Sequence, residues 1–161
     1  MLEAIDHLDL VVSDFDRSLR FYVELLRPLG YVRTSEIEGE RGERVVYVGR
    51  PGGFGSVSVR EAQSGAHGTP YDRYGIGIHH IAFSATRRSV VDERAEWLRA
   101  NGHEIESGPG EYNQYSPGYY AVFFYDPDGI KLEILHRPRE QDLAARVQEL
   151  ERRLAALEGG G

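Results

Sequence analysis

Two stretches decide the fold: "IDHLDLVVSDFDRSLRFYVELLRPLGY" at residues 5–31 and "IHHIAFSATRRSVVDERAEWLRANGHEI" at 78–105. Each opens with the period-two alternation of a strand, breaks at polar residues, then changes to helical spacing and stops at a glycine. In the first, Phe15, Leu19, Tyr22, Leu26 and Leu29 share a helical face, and Ser13 or Asp14 stands where a cap belongs. In the second, Val91, Ala95 and Leu98 share the face, with Ser89 as the expected cap. Gly30 and Gly102 take the position just past each helix, where a left-handed backbone favours glycine.

Three strand candidates follow each helix: 31–37, 43–49 and 55–61 in the first half, 103–107, 118–125 and 130–136 in the second. The order βαβββ thus occurs twice, with His7 and His80 marking a repeat of 73 residues. A unit of this kind cannot bury its own sheet face and pairs with its copy. The expected fold is α+β: two βαβββ modules, 1–63 and 76–137, pairing into an incomplete β-barrel with helices outside. The Gly- and Pro-rich segment 64–75 links them, and a helical tail occupies 138–161.

The stretch "DPDGIKLEILH" (126–136) begins with a turn by composition and continues as a strand in which Ile130, Leu132 and Ile134 alternate with Lys131, Glu133 and Leu135. Superposing the halves puts Leu8 and Leu10 with Ile81 and Phe83 on the face that meets the helices. His7 and His80 then fall on the opposite face, beside Asp9 in one half and beside Ala82 and Ser84 in the other. Glu133 lies on the corresponding face of the last strand. Two imidazoles and one carboxylate on a concave sheet suit a single divalent ion, Fe, Mn, Ni or Zn, with positions left for water or substrate. His79 points the other way and reads as structural. His67 and His103 read as solvated, and His136 shares the parity of Ile134.

The segments "IDHLDLVVSDFDRSLRFY", "IHHIAFSA" and "YYAVFFYDPDGIKLEILH" resemble the vicinal oxygen chelate superfamily: glyoxalase I, bleomycin-resistance proteins, extradiol dioxygenases and fosfomycin-modifying enzymes. The resemblance covers residues 1–137 and implies His7, His80 and Glu133 as metal ligands. It also implies a small oxygenated substrate chelated by the metal, in a lyase, isomerase or dioxygenase type of reaction. The alternative on the same scaffold is a protein that binds or sequesters a small molecule without catalysis. Glyoxalase I-like members have a fourth ligand, a Glu on the last strand of the first module. Here "GSVSVREAQ" puts Ser58 or Val59 at that place, and Glu61 reaches it only through a bulge. The Tyr that extradiol dioxygenases place three residues before the Asp-Pro turn is Phe123. Tyr120 is a candidate substrate contact, with Tyr112, Tyr115 and Tyr119 read as packing or surface aromatics. Asp9 is a candidate proton carrier, or an acceptor behind a ligand.

In the tail, Leu143, Val147, Leu150, Leu154 and Leu157 follow heptad spacing, and Arg146–Glu151 and Arg153–Glu158 would pair across parallel helices. A homodimer aided by the helix at 140–158 is the expected assembly. The rest is exclusion. A net charge of −7 argues against nucleic-acid binding. No apolar run approaches the roughly 20 residues of a membrane span, and the N-terminus lacks the pattern of a secretory signal. With no cysteine there is no disulfide framework, and the expected location is the cytoplasm.

Overall fold

A computed structural model describes residues 5–53, 55–63, 71–138 and 147–153. The first module contains β1 (His7–Val12), α1 (Phe15–Leu26), a 3-10 turn (Arg27–Leu29), β2 (Val32–Glu38), β3 (Arg44–Gly49) and β4 (Ser56–Glu61). The second contains β5 (Ile81–Ser84), α2 (Arg88–Ala100), β6 (Ile105–Glu111), β7 (Tyr120–Tyr125) and β8 (Lys131–His136). The two sheets have the same order, β1-β4-β3-β2 and β5-β8-β7-β6, so the βαβββ duplication read from the sequence is the architecture. In each sheet the first strand runs parallel to the last, which its helix crossover requires, and the other pairings are antiparallel. Among the described residues the sheets stay open and form no closed barrel.

The helices form where the apolar spacing puts them, and their caps differ. Asp14 caps α1 by accepting from the Arg17 N–H at 3.0 Å. Ser89 does not cap α2: the helix begins at Arg88, and the cap position falls to Arg87, which makes no side-chain bond to the helix. Ser89 is already helical, past the point from which its hydroxyl reaches a free N–H of the first turn, and it accepts from Arg87 Nε at 2.9 Å instead. Gly30 sits at φ +85° and Gly102 at φ +72°, as the helix ends demand.

One buried cluster runs from Leu10, Val46 and Val59 of the first sheet, through α1 and α2, to Phe83, Val122 and Ile134 of the second. Phe21 of α1 meets Trp97 and His103 of the second module at ring separations of 6.1 and 4.8 Å. The fully buried Tyr22 donates to Asp126 Oδ2 at 2.7 Å. Arg17 and Ser13 fasten the start of α1 to the 126–128 turn of the other module. The modules therefore join through their helix-bearing faces, and neither helix covers the opposite faces, where His7 and Glu133 lie. Residues 147–153 are helical, with Val147 and Leu150 about half exposed. The rest of the heptad pattern, including Leu143, Leu154 and Leu157, lies outside the described residues. Among the described residues no helix is long and apolar enough to cross a membrane.

Candidate metal centre

Strand parity sorts the site. On β8, Leu132 and Ile134 pack into the core, so Lys131, Glu133 and Leu135 project from the open face. Glu133 lies opposite Ala82 of β5 on one side and Phe123 of β7 on the other. Its carboxylate is nonetheless 2% exposed, a buried charge that needs partners. It has two, one per oxygen: Oε1 accepts from the Tyr119 hydroxyl at 2.6 Å, and Oε2 stands 3.3 Å from His80 Nε2. His80 immediately precedes β5, and its other ring nitrogen, Nδ1, lies 2.8 Å from Nδ1 of His79. Burial, then the neighbouring His80, Arg73 and Lys131, push the His79 pKa below its ordinary value. Burial and the Glu133 carboxylate push the Tyr119 hydroxyl well above its own, so Tyr119 stays a donor.

The His80–Glu133 pair fits a divalent ion. Two ligands bonded at about 2.1 Å to one tetrahedral or octahedral ion are themselves roughly 3.0–3.5 Å apart, and the observed separation is 3.3 Å. An imidazole nitrogen and a carboxylate oxygen are donors that zinc, iron, manganese and nickel all accept. His7 is not in this group. Among the described residues no three His, Asp or Glu side chains converge tightly enough to hold one ion. His7 stands on the open face of the first sheet, its ring edge-on to Tyr47 and its Nδ1 2.8 Å from Asp6 Oδ1, which raises its pKa.

The first module's open face has a different charge pattern. Asp9 lies opposite Ser58, as Ala82 lies opposite Glu133, so the residue equivalent to Glu133 is Ser58 rather than Val59. No bulge interrupts the β1–β4 or β3–β4 register. Glu61 stays at the strand end, bound to Arg44. Ser58 is fully buried, and its hydroxyl donates to Asp9 Oδ1. Arg60 joins Asp9 Oδ2 at 3.0 Å and also pairs with the buried Glu43. Asp9 is thus on the open face two residues beyond His7, tied to a hydroxyl and a guanidinium.

Three expectations need correction. Tyr120 does not enter this face: it packs with the core, and its hydroxyl donates to Asp92 of α2 at 2.6 Å, because its parity is that of Val122 and Phe124. The residue before it, Tyr119, is the one that reaches Glu133. Only β7 parity could have revealed this, and the strand start lies two residues later than the sequence pattern places it. His103 is not a solvated residue: it is wedged between Trp97 and Phe21, where burial pushes its pKa down. His136 places Nδ1 3.2 Å from the Ala85 carbonyl oxygen, away from the pair. Lys131 shares the open face with Glu133 and is held there, its ammonium over the Phe123 ring and ion-paired with Glu106.

The model of the glyoxalase/bleomycin resistance protein/dioxygenase superfamily matches residues 4–134. The chain belongs to this superfamily. It is 31% identical over 133 residues to the uncharacterized protein YqjT of Bacillus subtilis, covering 80% of this chain and 95% of that one. It is 28% identical to a lactoylglutathione lyase of Haemophilus influenzae, over 80% of this chain and 89% of the relative. A crystal structure of a glyoxylase/bleomycin resistance protein/dioxygenase domain from Frankia sp. EAN1pec superposes with a TM-score of 0.71 at 27% identity, covering 87% of this chain and 95% of that one.

Proposed function

We propose that this superfamily member is a divalent-metal-dependent enzyme acting on a small oxygenated metabolite, with His80 and Glu133 of one chain and His7 of a second copy as the metal ligands. The observation that carries the reading is the buried Glu133 carboxylate with one oxygen turned to His80 Nε2 on the sheet face away from the helices. Such a charge is costly to hold there unless it serves a cation. His7 supports the dimeric form. It occupies the place on β1 equivalent to His80 beside β5, yet the modules join through their helix faces, so among the described residues no helix stands between the opposite face of each sheet and another copy. Exposed Val11 and Ile37 on the first sheet's open face support the same assembly. In this form β1 of one chain and β5 of its partner would share one site.

The ion would act as a Lewis acid on a substrate oxygen. In the shared site one chain would hold His80 and Glu133 and keep Glu133 dry, and Asp9, Ser58 and Arg60 of the second copy would face them beside its His7. With Ser58 where the resemblance expects a fourth carboxylate, the site has three protein ligands. The lactoylglutathione lyase relative supports a lyase or isomerase type of reaction on an oxygenated carbonyl compound.

Metal analysis of protein purified without chelator tests the reading, with a complementation arm for the shared site. Wild type should carry about one ion per chain, and His80→Ala and His7→Ala should each lose it. Co-expressing His7→Ala with Glu133→Ala should restore about a quarter of the sites, because a mixed dimer then has one intact set. Absence of stoichiometric metal in wild type would leave a small-molecule binding protein as the function. Metal in wild type without complementation would put all three ligands in one chain.

A further inference from the structure

Around the His80–Glu133 pair, each ligand has one atom already taken. Glu133 Oε1 is engaged by Tyr119 at 2.6 Å, while Oε2 is the oxygen near His80. His80 Nδ1 faces His79 Nδ1 at 2.8 Å, while Nε2 is the nitrogen near Glu133. We propose that Tyr119 and His79 are positioning residues that present Glu133 through Oε2 alone and His80 through Nε2 alone. This inference rests on the metal-dependent reading above.

The physics is selection of one donor atom per ligand. A carboxylate with both oxygens free binds an ion through one or both, and a two-oxygen grip takes a coordination position that a substrate oxygen needs. A phenol hydrogen bond to a carboxylate is charge-assisted and strong, and it occupies Oε1, the oxygen farther from His80 Nε2. Tyr119 is fixed in turn: its ring lies edge-on to Tyr115 at 5.2 Å, and Tyr115 stacks on Tyr112, whose hydroxyl donates to Ser107. On the imidazole side, two Nδ1 atoms at hydrogen-bond distance share one proton. When His80 supplies it, His80 Nε2 is left with the lone pair a metal takes. His79 then works through His80 rather than as structural filling.

The test uses cobalt(II) as the probe, because its visible absorption reports coordination number and its affinity is read by chelator competition. Tyr119→Phe is expected to bind cobalt 10- to 100-fold more weakly and to show a weaker visible band at shifted wavelength, from the higher coordination number of a two-oxygen Glu133. His79→Ala is expected to weaken cobalt binding similarly. In His79→Gln the amide restores an acceptor near Nδ1, so most of the affinity should return. Unchanged spectrum and affinity in Tyr119→Phe, or no difference between His79→Ala and His79→Gln, would overturn the inference while leaving the metal site standing. If wild type binds no cobalt, the metal-dependent reading falls first and takes this one with it.

Discussion

The two modules share strand order, crossover and register, and they differ in where their charge sits. The second puts a carboxylate on its last strand, at Glu133, and leaves Ala82 opposite on β5. The first puts serine on its last strand, at Ser58, and a carboxylate opposite on β1, at Asp9. A histidine marks the same place in both. The difference teaches that the two halves share the backbone frame, the helix-facing apolar residues and the imidazoles, while the polar residues of the open faces differ. An open-face side chain is constrained by its immediate neighbours alone, whereas a helix-facing one must fit a packed cluster of both modules. One module became the half with a buried anion turned to an imidazole. The other holds Asp9 by a hydrogen bond from Ser58 and an ion pair with Arg60.

On the metal-dependent reading proposed above, the largest effect that tests this asymmetry is on metal binding. Glu133→Ala is expected to weaken it by at least about 100-fold, roughly 3 kcal/mol. Ser58→Ala, at the equivalent position, is expected to change it less than about threefold. Chelator competition on the two variants side by side measures both, and equal losses would break the contrast between the halves.

A second test concerns what holds the halves together. Tyr22 and Asp126 are both buried and bonded across the module boundary. Burial pushes the Asp126 pKa up, and the hydrogen bonds from Tyr22 and from the Ile130 and Asp128 N–H groups oppose it. Tyr22→Phe removes one of these donors and should destabilise the chain by about 2 kcal/mol, a Tm drop of about 5 °C. A Tm within one degree of wild type would mean that the Tyr22–Asp126 bond adds little to the module boundary.

Most of the frame was legible in the sequence, and the reason is periodicity. Leu8 and Leu10 against Ile81 and Phe83, the glycines after each helix and the 126–129 turn are local signals, and together they implied the repeat and the superfamily. Ser58 was legible to within one residue, and the register chose it over Val59. The pairing of His80 with Glu133 followed from parity. What was not legible depended on strand ends and on how the modules join. The β7–β8 register turns Tyr120 to α2 and leaves Tyr119 to reach Glu133, and no local signal at 118–120 fixes that parity. His103 was read as solvated because nothing in its own neighbourhood announces Phe21, which comes from the other module. Lys131 had no explanation until Glu106, Arg73 and Tyr125 appeared beside it.

That last cluster gives the second module an acid-sensitive element, as the Arg60–Glu43 pair, with Glu43 also held below its ordinary value, does for the first. Burial pushes the Glu106 pKa up, but hydrogen bonds from Lys131, Tyr125 and Arg73 outweigh it and bring it from the ordinary 4.5 down to about 2. The sign follows: a carboxylate held below its unfolded value stabilises the fold above about pH 4.5 and loses that contribution as pH falls toward 2. Glu106→Gln should cost about 1–2 kcal/mol at neutral pH and flatten the acid limb of a stability–pH curve across that window. An acid limb unchanged from wild type would assign the sensitivity to other carboxylates.

The smallest expected effect separates the two helices, which are copies of one element with unequal starts. Asp14 accepts the Arg17 N–H and places a negative charge at the α1 N-terminus, where the helix dipole favours it. Arg87 stands at the same point of α2 with the opposite charge and no side-chain bond to the helix. Asp14→Ala should therefore cost about 1 kcal/mol. Arg87→Asp should stabilise by about 0.5–1 kcal/mol, since it supplies an acceptor and removes a cation from the positive end of the dipole. The Arg87 guanidinium bonds Ser89 at an exposed position, so its loss offsets little of that gain. Denaturant melts of the two variants should move in opposite directions, and a destabilised Arg87→Asp would show that Arg87 serves α2 through a contact other than its cap.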